Sequence, residues 1–227
     1  SFLFLIPSFT IVRILQGRLK GMKWIKGSGD NGYWLGSYEY KQASMIEKAL
    51  NSGDVFFDIG ANVGFYTLLA AELVGEKGKV FAFEPLPENF NYLKKHIEIN
   101  GYKNIFSFQS AVSDKNGFAF FGEITNRSHG RLIKNGELKV ETITIDDWVN
   151  SGKLPNPDIL KIDIEGAEIQ ALKGMETILK KYHPKIFLST HGLEVHKECC
   201  VFFNNLKYKL KSLNEIEVEK SDNIIAY

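Results

Sequence analysis

The sequence predicts a doubly wound α/β fold with a mainly parallel sheet of seven strands. Three observations carry that expectation. Short apolar runs of strand length alternate with helix-length stretches, a glycine-bearing turn follows the first of those runs, and no linker or composition break divides the chain. At 227 residues the chain is long enough for one well-filled core. The expected division is an N-terminal cap or lid over residues 1–41 and a catalytic unit over 42–227.

Residues 20–40 are rich in glycine and aromatics and suit a structured loop better than a regular element. From Gln42 to Leu50 apolar positions recur at helical spacing, and Asn51-Ser52-Gly53-Asp54 stops that helix. Val55–Ile59 is the first strand of the alternating series, followed by a turn and a helix over 66–74. Lys79–Glu84 is the second strand, and a helix from Pro87 to Asn100 ends at Gly101. A third strand is expected over 105–112, a fourth over 159–163 with a helix from 167 to 181, and a fifth over 185–189 with a helix from 194 to 206. The tail, 209–213 and 223–227, supplies a terminal strand pair. Between strands three and four, Phe118–Phe121 and Leu138–Ile145 read as an inserted β-hairpin with a polar tip.

Composition narrows the partners. Twenty-eight basic against 27 acidic residues leave a formal charge of +1, without the electrostatic footprint of a nucleic-acid binder. Asn156-Pro157-Asp158 is the nearest approach to the Asn-Pro-Pro-aromatic pattern of base methylation, which also argues against a nucleic-acid substrate. The adjacent Cys199 and Cys200 exclude a disulfide framework and suit a reducing, cytoplasmic setting. The apolar opening from Phe2 to Val12 is too short to span a bilayer, which leaves peripheral membrane contact open. The chain starts at Ser1 rather than Met, so an upstream segment is also left open.

The most informative segment is Asp58-Ile59-Gly60-Ala61-Asn62-Val63-Gly64, where a strand turns into a helix. In open α/β sheets ligands bind at the carboxyl ends of strands. The Gly-x-x-x-Gly spacing after Asp differs from the Gly-x-Gly-x-x-Gly of dinucleotide sites, and an acidic strand end would repel a pyrophosphate. It suits S-adenosyl-L-methionine, whose sulfonium and amino groups are cationic. Asp58 is expected on the methionine side and Glu84 on the ribose hydroxyls, with Ser110 and Ala111 at the adenine edge. Taken alone, Asp58 reads equally well as a helix cap.

The run from Asp58 to Thr67, then Phe83-Glu84-Pro85, Thr144-Ile145-Asp146-Asp147-Trp148, and Leu160 to Glu168 (Leu-Lys-Ile-Asp-Ile-Glu-Gly-Ala-Glu) resemble the FkbM-type methyltransferases. The likeness covers roughly Gly36 to His191. It implies a class I S-adenosylmethionine fold and usually O-methylation of sugars, lipids or secondary metabolites. The expected cofactor set is Asp58, Gly60, Ala61, Asn62, Gly64, Phe65, Thr67, Glu84, Pro85, Asn89, Ser110, Ala111 and Asp163.

Methyl transfer to a hydroxyl requires alignment of the acceptor and removal of one proton. His191 at the fifth strand end is the candidate general base, since an imidazole titrates near neutrality. A histidine bonded to loop backbone is the alternative. Asp163 is the first choice for a carboxylate in the cleft, as base, orienter or metal ligand, and Glu165 reads equally as catalytic or as a helix-start carboxylate. Acceptor contacts are expected from Tyr38, Glu39, Asn126, Arg127 and Arg131, with Trp34 either closing the cleft or packing in the core. No metal site is expected, because His96, His183 and His196 lack partners at ligand spacing. The acceptor is a small-molecule or carbohydrate hydroxyl. The alternatives are a non-catalytic S-adenosylmethionine-binding module and a nicotinamide-dependent oxidoreductase.

Overall fold

Period-two alternation explains how the sheet buries both faces. The computed structural model describes residues 7–121, 132–133, 138–214 and 216–227. Within it run β1 (Ile11–Arg13), β2 (Lys23–Ile25), α1 (Gly32–Leu35), α2 (Tyr40–Ala49), β3 (Val55–Ile59), α3 (Phe65–Val74), β4 (Lys79–Phe83), α4 (Pro87–Asn100) and β5 (Ile105–Phe108). There follow β6 (Ala111–Val112), β7 (Gly117–Phe121), β8 (Leu132–Ile133), β9 (Leu138–Ile143), α5 (Ile145–Asn150), β10 (Ile159–Ile162), α6 (Glu168–Lys173) and α7 (Glu176–Tyr182). The chain closes with β11 (Lys185–Ser189), α8 (Leu193–Asn205), β12 (Leu210–Ser212) and β13 (Asn223–Ala226).

The main sheet has seven strands in the order β12-β13-β11-β10-β3-β4-β5. Its five strands from β11 to β5 are parallel, and β13 and β12 join antiparallel at one edge. Phe56, Val80, Ile159 and Phe187 face one core with α2 and α3, while Phe57, Phe81, Leu160 and Ile186 face the other with α6, α7 and α8. A large apolar side chain buried this way contributes about 1.5–3 kcal/mol. Helix α3 has eight of its ten residues buried, which is why its sequence is apolar all round. The chain winds outward through β3, β4 and β5, then returns to place β10 against the other side of β3. The crevice between β3 and β10 is therefore the topological switch point.

Four expectations are corrected. The third strand is two: β5 ends at Phe108, and β6 pairs with β9, because the Ser110 hydroxyl turns to Glu141 Oε2 at 2.8 Å. The inserted hairpin, β7 against β9, thus belongs to its own four-stranded sheet. Helix 167–181 is broken into α6 and α7 at Gly174, where a Cβ would lie 1.8 Å from the Ser113 carbonyl oxygen. The Asp146 carboxylate accepts from the Thr177 and Ile178 amides and restarts the helix. The loop over 20–40 contains β2 and α1, since Trp24 is fully buried and stacks on His96 with ring centroids 3.9 Å apart. Strand β9 stops at Ile143, and Thr144 caps a short helix, α5, that the sequence reading had missed. The hairpin-tip residues Asn126, Arg127 and Arg131 lie outside the described residues. Among the described residues no helix is long and apolar enough to cross a membrane.

Candidate functional site

A cavity of about 490 Å³ opens at the carboxyl ends of β3, β4 and β10. Its floor is the turn after β3. Gly60 has φ 78°, and a Cβ there would stand 1.9 Å from the Asp163 carbonyl oxygen, so the two loops at the switch point can meet only through glycine. Both the Gly60 and Ala61 amides donate to the Phe83 carbonyl, at 3.0 Å each, and tie the turn to β4. Asn62 takes a left-handed conformation at φ 51°.

At one end of the cavity the strand-end carboxylate Glu84 is 4% exposed. Its Oε2 accepts from the Asn62 amide at 2.8 Å and its Oε1 from the Leu86 amide at 2.9 Å. Burial pushes its pKa up to about 7, against the pull of those two amides. The Asn89 side chain also bonds to this carboxylate, and its remaining lone-pair capacity is open to a ligand hydroxyl. Pro85, Asn89, Ser110 and Ala111 line the same end.

At the other end, His191 stands after β11 with Nδ1 2.7 Å from Glu168 Oε1. Its Nε2 therefore faces the cavity, 3.6 Å from Asp163 Oδ1 and 3.6 Å from Glu165 Oε2. The Glu168 hydrogen bond raises the imidazole pKa above its ordinary value, burial opposes it, and Asp163 and Glu165 add to the rise. Glu165 lies in a left-handed turn at φ 57° and faces the cavity. The first-turn carboxylate of α6 is Glu168, which accepts from the Gly166 amide at 2.9 Å. Tyr38 and Glu39 line the cavity from the N-terminal segment, and Glu39 Oε2 accepts from the Tyr66 hydroxyl at 2.6 Å. Trp34 packs in the core, 4% exposed, with its indole nitrogen donating to Asn31.

Of the expected cofactor residues, Gly60, Ala61, Asn62, Phe65, Glu84, Pro85, Asn89, Ser110, Ala111 and Asp163 line the cavity. Asp58, Gly64 and Thr67 sit behind its wall. Asp58 shares the Phe56 face of β3, fully buried under α3, and accepts from the Thr67 hydroxyl at 2.6 Å. Gly64 is the left-handed cap of α3.

The sequence reading missed Lys161 and Glu168. Lys161 pairs in register with Asp58 across β10 and β3, with Nζ 3.4 Å from Asp58 Oδ1, and donates to the Gly60 carbonyl at 2.8 Å. Burial lowers its pKa, but Asp58, Asp163 and Glu39 outweigh that and leave it raised. A lysine inside an apolar central strand was the available signal. For Glu168 it was the three-residue step from Glu165 into a helix start.

The donor set fits S-adenosylmethionine. Among the described residues five carboxylates, Asp30, Glu39, Glu84, Asp163 and Glu165, line the cavity, with Lys161 the one lysine among them, which suits a cationic ligand. The glycine turn lets backbone approach it, and Glu84 offers paired acceptors to a ribose diol.

A family model for the methyltransferase FkbM domain matches residues 58–214. The hexuronic acid methyltransferase AglP of Haloferax volcanii is 30% identical over 138 residues, 60% of this chain and 55% of that protein. A probable cobalt-precorrin-6B C(15)-methyltransferase (decarboxylating) of Sulfolobus acidocaldarius is 26% identical over 152 residues, covering 61% of this chain and 78% of that protein. Among solved structures, the methyltransferase FkbM of Methylobacillus flagellatus superposes with a TM-score of 0.53 at 17% identity, covering 78% of this chain and 44% of that one. A precorrin-6y C5,15-methyltransferase of Geobacter metallireducens also gives 0.53, at 14% identity, covering 83% of this chain and 87% of that one. These two likenesses establish the class I methyltransferase fold. The chain spans about half the length of AglP and less than half that of the Methylobacillus protein.

Proposed function

Because the chain belongs to the FkbM methyltransferase family, whose cofactor is S-adenosyl-L-methionine, we propose that it methylates a hydroxyl oxygen of a carbohydrate, with a sugar acid as the first acceptor to test. The observation that carries this reading is His191, aimed into the cavity by buried Glu168 and standing among carboxylates at the end opposite Glu84.

In this reading Glu84 accepts the ribose hydroxyls, and Ser110 and Ala111 hold the adenine edge. The Gly60–Asn62 turn passes beneath the cofactor. Bound there, S-adenosylmethionine supplies an electrophilic methyl on sulfur. Asp163 and Glu165 orient the acceptor hydroxyl, and in the Nδ1–H tautomer His191 has a lone pair at Nε2 for its proton, a contribution of about 10²–10⁴ in rate. Glu168 holds the imidazole in that tautomer, as a buried carboxylate does in a hydrolase triad. Residues up to 41 act as the cap, bringing Tyr38 and Glu39 to the acceptor.

AglP is named for methylation of a hexuronic acid, which motivates the acceptor panel. The protein is incubated with S-adenosylmethionine and a uronic acid glycoside, a neutral hexose glycoside or a polyketide alcohol, and products are read by mass spectrometry. The expected product is a methyl ether on the uronic acid, stable to mild alkali. An alkali-labile methyl ester would place the methyl on the carboxylate and overturn hydroxyl transfer. Tight cofactor binding with no product from any acceptor would favour a binding module.

A further inference from the structure

We propose that Asp163, Glu165 and His191 form a binding site for one divalent cation of the Mn²⁺ or Mg²⁺ type, open on the cavity side to the acceptor. The inference rests on the methyl-transfer reading of the same cavity and changes how the acceptor oxygen is activated there. One ligand atom from each residue lies within 4.8 Å of the others. The two 3.6 Å separations from Nε2 exceed hydrogen-bond length. They match the spacing of two ligands on one ion, since metal–ligand bonds of about 2.0–2.2 Å hold cis ligands roughly 3–4 Å apart.

Glu168 supplies an independent observation. It is fully buried, its Oε2 has no hydrogen-bond partner among the described residues, and its Oε1 fixes His191 Nδ1. A carboxylate behind a histidine is the usual outer partner of a metal-ligating imidazole, setting the tautomer and directing the other nitrogen at the ion. Charge points the same way. Three carboxylates surround one imidazole, so the cluster stays anionic even with the histidine protonated and with Lys161 shared between Asp58 Oδ1 at 3.4 Å and Asp163 Oδ2 at 3.8 Å. Two carboxylates and one imidazole suit Mn²⁺ or Mg²⁺ better than the thiolate-loving ions.

With the cation present, Nε2 serves as a ligand and the proton goes elsewhere. The acceptor hydroxyl oxygen, polarised by the ion, releases its proton to solvent and forms a bond to the methyl carbon. The sulfur–methyl bond breaks as this happens, its electron pair remaining on sulfur.

The test is titration of Mn²⁺ into the protein without cofactor or acceptor, followed by the electron paramagnetic resonance of free Mn²⁺. One bound ion per chain is expected. D163N/E165Q should weaken binding at least tenfold and E168Q about tenfold, with an unchanged melting temperature and an unchanged circular-dichroism spectrum showing that the variants fold. No binding at millimolar Mn²⁺, or equal binding by wild type and D163N/E165Q, overturns the proposal. If methyl transfer then persists in EDTA, His191 acts as a metal-free base and the methyltransferase reading stands. Stoichiometric Mn²⁺ binding without product from any acceptor would retain the site while removing the hydroxyl-transfer reading on which its role rests.

Discussion

The two ends of the cavity satisfy their charges in opposite ways. At the Glu84 end both carboxylate oxygens already hold main-chain amides at 2.8 and 2.9 Å, so the backbone fixes the side chain before any ligand arrives. At the His191 end the charged groups face one another at 3.6 Å, and the shortest bond, to Glu168, points away from the cavity. One end is a finished template. The other keeps coordination capacity in hand. On the reading proposed above, rigid recognition of a constant cofactor and looser contact with a variable acceptor would be separated along one crevice.

The change expected to break both ends at once is Gly60→Ala. A Cβ 1.9 Å from the Asp163 carbonyl, at φ 78°, forces the two loops apart. We expect destabilisation of more than about 4 kcal/mol and loss of cofactor binding, read by thermal unfolding and calorimetry. A variant that melts normally would show that the loops tolerate separation.

His191→Ala should separate the two ends. Turnover is expected to fall about 10²–10⁴-fold while the S-adenosylhomocysteine dissociation constant stays within about threefold of wild type. Equal losses in both would mean that the ends are coupled.

Acid should loosen the Glu84 end through His96. Its Nε2 accepts from the Ile25 amide at 3.0 Å and its Nδ1–H donates to the Val63 carbonyl at 2.7 Å, a pairing that only the neutral ring can make. Burial lowers its pKa to about 4, with the Val63 bond opposing. Between about pH 6.5 and 4 the unfolded chain binds the extra proton. Stability is therefore full above that window and falls by about 3 kcal/mol as pH drops through it. Denaturant midpoints across this range should show the slope, and His96→Gln should flatten it.

The smallest effect is expected for Glu84→Gln, where an amide NH₂ must face a backbone N–H. Cofactor affinity should fall roughly thirtyfold, about 2 kcal/mol, with turnover at saturating cofactor nearly unchanged. A larger fall in turnover than in affinity would show that Glu84 also sets the methyl's position.

The Glu84 end was far more legible in the sequence than the wall behind the cavity. Gly60 and Glu84 announce themselves because a strand-end glycine turn and a strand-end carboxylate are local patterns. Asp58 was expected to meet the ligand. Strand alternation instead places it on the Phe56 face beneath Thr67, a fact that depends on which face α3 covers. Lys161 and Glu168 stayed hidden because their partners come from register between β10 and β3 and from the turn into α6. The break at Gly174 depends on a backbone 61 residues away in sequence, at Ser113.

The Asp58–Lys161 pair also constrains how the protein assembles. Moving β10 by one residue along β3 would carry Lys161 to the opposite face, among Phe57 and Ile59, with no carboxylate to meet it. The stranded ammonium and the abandoned Asp58 would each carry several kcal/mol of desolvation. A misaligned sheet is thereby rejected during folding, and any molecule that completes its central strands has Gly60 and Asp163 already abutting. Assembly of the scaffold and alignment of the crevice are one event, so a population of folded chains should contain few with a distorted site.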